Sequence, residues 1–102
     1  MNHFKNFTEY KGKDLRAKYP PKVIILVDED GNDWYDVMET FADNTAAVAY
    51  QRDGRITGYT EGSPSGSLWP VNSSVLEVAE LPEGFEHQDY LVVDDKLVKL
   101  AQ

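Results

Sequence analysis

The sequence predicts a small β-dominated α+β domain, an antiparallel sheet and hairpin arrangement of about six strands with one short helix. Three observations support this class. Short β-branched and aliphatic runs alternate with turn residues along most of the chain, as in "VIILV" and "YLVV". Two strand-like runs flank Asp53-Gly54, which is a hairpin signal. A stretch that starts at Trp34 has the apolar spacing of a short helix.

Residues 1–22 are predicted to form an irregular basic arm, and residues 23–102 a single β-rich domain. Gly12 and the pair Pro20-Pro21 interrupt any periodicity in the arm. Three aromatic side chains could still pin part of it to the core: Phe4, Phe7 and Tyr10.

The run "VIILV", Val23 to Val27, predicts a strand that is buried on both faces, and "DEDGN" supplies turn residues around Gly31. The next apolar residues recur at helical intervals, which favours a helix with Asn32 or Asp33 as its N-cap. A strand is the alternative, since "WYDVMETF" is rich in β-forming residues.

The remaining segments predict strands joined by polar loops. "TAAVAY" and "ITGYT" form the hairpin around Asp53-Gly54, and "EGSPSGS" forms an irregular loop. "LWPVNS" is expected to be extended, and "SVLEVAEL" alternates imperfectly, as suits a strand that is covered partly on both sides. "YLVV" and "LVKL" close the chain as a second hairpin with a tight acidic turn.

The composition restricts the classes of function. The chain has 102 residues and no cysteine, which excludes disulfides and thiolate zinc sites. It has neither an apolar run long enough for a membrane span nor the apolar centre of a secretory signal, so it is expected to be a soluble protein made in a cytoplasm.

The net charge of −8 is unevenly placed along the chain. Residues 1–22 hold six basic and two acidic side chains, whereas residues 23–102 hold four basic and sixteen acidic ones. An acidic body repels phosphate backbones, which argues against nucleic acid as a partner. A solvated arm is favoured over an arm that contacts a negative surface.

The stretch "DEDGNDWYD", Asp28 to Asp36, holds five acidic side chains and raises the question of a metal site. An EF-hand loop that starts at Asp28 needs glycine at its sixth position, but Asp33 stands there and Gly31 comes two residues early. The stretch is therefore interpreted as a solvated acidic turn, with no metal and no cofactor expected.

Catalytic residues are not indicated either. His3 lies near the terminus and His87 in a polar loop, neither beside an evident orienting group. "GSPSG" has Pro64 where a nucleophile elbow has serine. A non-enzyme is expected, and a small acidic hydrolase, the alternative, needs two carboxylates that converge in a pocket.

Aromatic side chains beside predicted loops indicate a binding surface, because such residues give a large contact area at low entropic cost. The alternative in a domain of this size is that they fill the core. We expect four of them to contact a partner or to support residues that do, with Trp34 assigned to the core: Trp34, Tyr35, Tyr59 and Trp69.

The order of these motifs resembles the tail fibre assembly proteins of tailed bacteriophages and prophages. The resemblance rests on Gly31 with Trp34-Tyr35, "AYQRDGRIT", "PVNSSVLEV" with "LP", and "YLVVDDKLVKL", and "HFKNFTEY" is similar to their amino termini. Since family members usually continue into a linker and a helical region, this chain is expected to be their amino-terminal domain alone or a naturally short member.

The resemblance implies a chaperone that binds the carboxyl-terminal distal tip of a trimeric tail fibre and assists its folding and assembly. It implies work in the host bacterial cytoplasm, and in some phages continued presence on the fibre of the virion. A carbohydrate-binding domain that contributes to host receptor recognition, with a glycan reached through the fibre, is the alternative function. Neither nucleic acid nor a membrane is expected as a partner.

Overall fold

The structure is a computed structural model that describes residues 1–100. That part of the chain contains eight strands: β1 (His3–Phe4), β2 (Thr8–Glu9), β3 (Leu26–Val27), β4 (Ala46–Tyr50), β5 (Ile56–Glu61), β6 (Ser74–Val78), β7 (Tyr90–Val93) and β8 (Lys96–Lys99). It also contains two short α-helices, α1 (Lys13–Arg16) and α2 (Trp34–Val37), and 3-10 turns at Met38–Thr40 and His87–Asp89. Within residues 1–100, none of the helices has the length and apolar character that a bilayer crossing requires.

Every ladder between these strands is antiparallel, and the predicted β-dominated α+β class is confirmed. The largest sheet has four strands in the order β1-β6-β4-β5. The pairs β2-β3 and β7-β8 form two smaller sheets. Because β4 lies between β5 and β6, the segment from residue 62 to residue 73 crosses the sheet from one side of β4 to the other.

Apolar side chains cover both faces of the four-stranded sheet, since successive residues of a strand point to opposite faces. On the face that we call the helix face, one apolar cluster joins residues of β4 and β6 to helix α2 and to the amino-terminal segment: Phe7, Leu26, Trp34, Phe41, Ala47, Ala49 and Val75. On the face that we call the hairpin face, a second cluster joins the sheet to strand β7: Val48, Tyr50, Ile56, Leu76 and Val92. The sheet is therefore the middle layer of the fold.

The prediction of an irregular arm over residues 1–22 differs from the structure. Strand β1 pairs with β6, and β2 pairs with β3. Phe7, between them, is fully buried, and its N–H and C=O bond to Ser73 and Asn72 at 2.8 and 2.9 Å. Two-residue strands have no alternation that a sequence pattern can reveal, so the pairing depends on partners far along the chain.

The prediction of a strand over Val23–Val27, buried on both faces, is wrong in its extent and its place. Only Leu26–Val27 forms a strand, and it pairs with β2 outside the main sheet. The side chain of Ile24 is 49% exposed. The central strands are β4 and β6, whose residues are buried on both faces except for half-buried Val78.

Helix α2 and both hairpins lie where the sequence predicts them. Asp33 is the N-cap of α2, and its carboxylate accepts from the N–H of Tyr35 at 2.9 Å. The turn between β4 and β5 contains Gly54 with φ of 88°. Asp94 and Asp95 both have positive φ, as the tight turn between β7 and β8 requires.

Candidate functional site

The acidic turn that precedes helix α2 holds itself together. One carboxylate oxygen of Asp28 accepts from the N–H groups of Asp30 and Asn32 at 3.0 and 2.7 Å, and the other accepts from the Asn32 amide at 3.0 Å. Gly31, with φ of 86°, supplies the left-handed residue of the turn. The carboxylate of Asp28 is thus used to fix the direction in which the chain enters the helix.

Asp33 extends this arrangement to the amino-terminal segment. The Tyr19 hydroxyl donates to the carboxylate oxygen that does not cap the helix, and this hydrogen bond, with burial and nearby carboxylates, raises the pKa of Tyr19. The rings of Tyr19 and Tyr35 lie 5.4 Å apart, and Lys18 Nζ is 3.9 Å from an oxygen of Asp36. These contacts hold residues 18 and 19 against the outer side of helix α2.

Trp34 is a core residue, with 1% of its surface exposed. Its ring packs edge-on against Phe7 and Phe41 at centroid distances of 5.3 and 6.1 Å. Its indole N–H donates to the carbonyl of Leu68 at 3.2 Å. Trp34 therefore fixes the crossing segment against helix α2 and supports the surface beside it.

Tyr35 and Trp69 form that surface. Their rings lie 6.0 Å apart, and 43% of the Trp69 side chain is exposed. They line a shallow cavity of about 300 Å³, which we call the aromatic groove: Trp34, Tyr35, Met38, Gly66, Ser67, Leu68 and Trp69. An open groove with aromatic walls is a surface on which another chain could bury apolar side chains.

Tyr59 lies away from the aromatic groove, on the opposite face of the sheet. It stands across from Val48, whose side chain belongs to the hairpin face. Its ring contacts Phe85 edge-on at 5.0 Å and lies 6.1 Å from the ring of His87. Of the four predicted contact residues, the structure thus brings Trp34, Tyr35 and Trp69 together and separates Tyr59 from them.

Sequence reasoning did not predict that Met38 and Leu68 line the aromatic groove, or that Tyr19 lies beside it. Met38 carries a signal, because it follows Trp34 by one helical turn. Leu68 and Tyr19 reach the groove only through the crossing segment and the amino-terminal segment. No local pattern reports such contacts.

A larger open cavity, of about 420 Å³, lies at the end of the sheet where β4 begins and β5 ends. Its walls include Asp43, Glu61 and Glu80, all on the exposed rim. The nearby carboxylate that is buried, Glu77, is bonded to three donors of the protein and takes no part in lining this cavity. Within residues 1–100, no three His, Asp or Glu side chains are grouped as metal ligands would be.

No protein-family model matches the chain. The chain is similar to the tail fiber assembly protein U of Escherichia phage Mu, with 30% identity over 84 residues. The match covers 79% of this chain and 47% of that protein, so the chain spans about half the length of the curated relative. This match supports the relationship to phage tail fibre assembly proteins that the motifs indicate.

Proposed function

We propose that this chain belongs to the phage tail fibre assembly proteins and acts as a non-catalytic chaperone that binds the carboxyl-terminal tip of a trimeric tail fibre. The observation that carries the proposal is the similarity to a protein named for tail fibre assembly, which extends over 79% of the chain. We place this work in the cytoplasm of the host bacterium while the virion assembles. Presence on the finished fibre is part of the same proposal.

The aromatic groove is the surface that we assign to the fibre. Trp69 is half-exposed although it is one of the largest apolar side chains, and Tyr35 flanks it. Leaving such a side chain in water has a cost that a partner removes on binding. Trp34 and the helix cap at Asp33 keep the groove in shape before the partner arrives.

Co-expression with the full-length cognate tail fibre tests this function. We expect a stable complex on affinity purification, and a larger fraction of trimeric fibre than without this chain. A fibre that trimerises fully in its absence and never co-purifies with it would contradict the proposal.

Replacing Trp69 with alanine tests the groove. We expect Trp69→Ala to weaken fibre binding by about 30-fold, because truncating a central aromatic contact typically costs about 2 kcal/mol or more. Val98→Ala is the control, since Val98 is also 43% exposed but lies on the terminal hairpin. If Trp69→Ala and Val98→Ala bind the fibre equally well, the fibre contact lies outside the aromatic groove.

A carbohydrate-binding role is the second candidate, because a half-exposed tryptophan beside a tyrosine is also a surface on which sugar rings stack. An array of host-surface glycans, probed with this chain alone and with its fibre complex, distinguishes the two. Binding that requires Trp69 but no fibre favours the glycan, and absence of binding in both arms removes this candidate.

A further inference from the structure

Three aromatic rings follow one another at the aromatic groove, and we call them the aromatic row: Tyr19, Tyr35 and Trp69. The ring of Tyr35 is the middle one, with centroid distances of 5.4 Å to Tyr19 and 6.0 Å to Trp69. The ring planes of the two pairs are inclined by 41° and 47°, so neighbouring rings enclose wedge-shaped clefts and not one flat platform. A flat sugar face stacks on a single ring, whereas a compact apolar group fits between two inclined ones. This shape favours a polypeptide as the occupant.

The aromatic row also offers hydrogen-bond donors. The Tyr19 hydroxyl and the Trp34 indole N–H are already bonded within the chain. By contrast, no group of residues 1–100 bonds to the hydroxyl of Tyr35 or to the indole N–H of Trp69, and both side chains are partly exposed. None of the rings of the row belongs to a strand, so this surface presents single donors and not a backbone ladder.

A polyproline II segment needs this combination of inclined rings and single donors. Its backbone makes no internal hydrogen bonds, so its carbonyl groups accept from side chains of a partner. Proline fixes the backbone in this form before binding, has no N–H of its own and presents a compact apolar ring. A rise of about 3.1 Å per residue separates residues i and i+2 by about 6 Å. That separation is close to the 5.4 and 6.0 Å between the rings of the row.

Acidic side chains beside the row select the residue that flanks the proline. Asp36 follows Tyr35 directly, Glu39 follows it by one helical turn, and both acidic residues are exposed. The nearest cation to Asp36 is Lys18 at 3.9 Å, and within residues 1–100 no ion pair involves Glu39. The net charge of −8 adds a general attraction for cations. A proline beside an arginine or lysine therefore complements both the rings and the charges.

We propose that the segment of the tail fibre bound by the aromatic groove is a polyproline II stretch in which a proline stands beside an arginine or lysine. This inference rests on the proposed function, in which the fibre is the partner. The proline packs between the rings of Tyr35 and Trp69, and neighbouring carbonyl groups accept from the hydroxyl and the indole N–H of these residues. The basic side chain meets the carboxylate of Glu39.

A second copy of this chain is a poor occupant. The only proline beside a basic residue in the sequence is in Pro20-Pro21-Lys22. That stretch is exposed, but it lies in a turn in which the N–H of Val23 donates to the carbonyl of Pro20 at 3.0 Å, so it is not extended. Each copy also carries a net charge of −8, so two copies approach against repulsion. The charge and the turn both favour a different polypeptide.

Removing the Tyr35 hydroxyl tests the donors of the row. Tyr35→Phe keeps the ring and removes a group that has no partner within the chain, so we expect the fold to be unchanged. Binding to the full-length cognate fibre is expected to weaken about fivefold. Tyr59→Phe is the matched control, because Tyr59 is a 43% exposed tyrosine on the opposite face of the sheet, and it is expected to bind within about twofold of the native chain.

Reversing the charge beside the row tests the basic residue of the partner. We expect Glu39→Lys to bind the full-length fibre about fivefold more weakly, because it places a cation next to the partner's cation. Glu83→Lys makes the same change of charge at an exposed position in the loop between β6 and β7 and is expected to bind within about twofold of the native chain.

Replacing prolines of the full-length fibre gives a readout on the partner's side. Alanine is placed, one position at a time, at each proline that adjoins an arginine or lysine in the carboxyl-terminal tip. At least one replacement is expected to weaken binding about tenfold, since proline holds the segment in its bound form.

Three results would overturn the polyproline segment and leave the proposed function standing: a fibre tip without such a proline, replacements that all bind within about twofold of the native fibre, or Tyr35→Phe that binds like Tyr59→Phe. Equal binding of Glu39→Lys and Glu83→Lys overturns the basic flanking residue. Absence of any complex between the native chain and the fibre overturns both proposals. Self-association of the chain that depends on Pro20-Pro21 assigns the groove to a second copy and overturns the choice of partner.

Discussion

Glu77 shows how a single buried carboxylate organises the end of the sheet. Its oxygens accept from the N–H of Asn2 and the N–H of Ala42, both at 2.9 Å, and from the Thr45 hydroxyl at 2.5 Å. Burial alone raises the pKa of a carboxyl group, but these donors outweigh burial and leave the pKa of Glu77 below its ordinary value. An ionised Glu77 therefore joins the amino terminus, the segment before β4 and strand β6.

Replacing this carboxylate with an amide is expected to destabilise the fold. In Glu77→Gln one acceptor oxygen becomes an NH₂ group that faces protein donors, which costs about 1–3 kcal/mol of the free energy of unfolding. Because the folded pKa lies below the ordinary value of 4.5, the contribution of Glu77 is complete above pH 4.5 and is lost as the pH falls through the folded pKa. Urea unfolding at several pH values measures the difference between native chain and variant.

The matched control is Glu80→Gln, since Glu80 is exposed and lies just beyond the same strand. Its free energy of unfolding is expected to stay within about 0.5 kcal/mol of the native value. A Glu77→Gln difference that is as small as the control, or that grows below pH 4, contradicts the role assigned to the carboxylate.

Local side-chain chemistry is the part of the site that the sequence reveals. The turn around Gly31 and a cap at Asn32 or Asp33 follow from neighbouring residues, and the structure uses Asp33 as the cap. The hydrogen bond from Tyr19 to the same carboxylate does not follow, because the two residues stand fourteen positions apart with strand β3 between them. The acidic stretch is thus a structural turn, and only the three-dimensional structure shows that Tyr19 bonds to it.

At the level of elements, patterns of four or more residues predicted the structure well, with the exception of the run Val23–Val27. The two hairpins, the helix at Trp34–Val37 and the alternation of β6 all come from short-range patterns. The failures are β1, β2 and the shortened β3. Strands of two residues are selected by their pairing partners and by the burial of Phe7 between them, which no propensity encodes.

The turn between β4 and β5 also serves as a contact to the terminal hairpin. Val92 N–H donates to the carbonyl of Gly54 at 2.9 Å, and a β-carbon on Gly54 would lie 2.5 Å from the carbonyl oxygen of Val92. Gly54→Ala is therefore expected to cost about 2–4 kcal/mol, from the positive φ and from the displaced backbone together. Thermal unfolding of the variant measures this loss.

Gly31→Ala separates the two causes. Gly31 has nearly the same φ, 86° against 88°, but a β-carbon there meets nothing within 4 Å. Its substitution is expected to cost only about 1 kcal/mol, the share due to backbone conformation. If the two alanine variants lose the same stability, the packing of Gly54 against the terminal hairpin does not contribute to the stability of the fold.

At the scale of the whole molecule, the layers decide which aromatic residues can act together. The sequence predicts Trp34, Tyr35, Tyr59 and Trp69 as contact residues, but it could not show that a sheet lies between Tyr59 and the others. Strand alternation gives relative orientation within one strand, whereas the face that each strand presents depends on the order β1-β6-β4-β5. That order depends on long-range pairings, and it also places β5 at the edge.

The amino-terminal segment belongs to the same folding unit as the sheet, and the buried ring of Phe7 tests this. Phe7 contacts Trp34 edge-on at 5.3 Å, and its backbone is bonded to Asn72 and Ser73 in the crossing segment. Phe7→Ala leaves a cavity between the segment, helix α2 and the sheet, so we expect a loss of about 3–5 kcal/mol. A domain of this size has a free energy of unfolding of about 5–15 kcal/mol, so the variant is expected to unfold at a much lower urea concentration.

Phe85→Ala, in a half-buried loop position, is the control, and its loss of unfolding free energy is expected to be about half that of Phe7→Ala. Urea unfolding followed by tryptophan fluorescence measures both losses. A loss for Phe7→Ala no larger than that for Phe85→Ala would show that residues 1–22 are a peripheral arm.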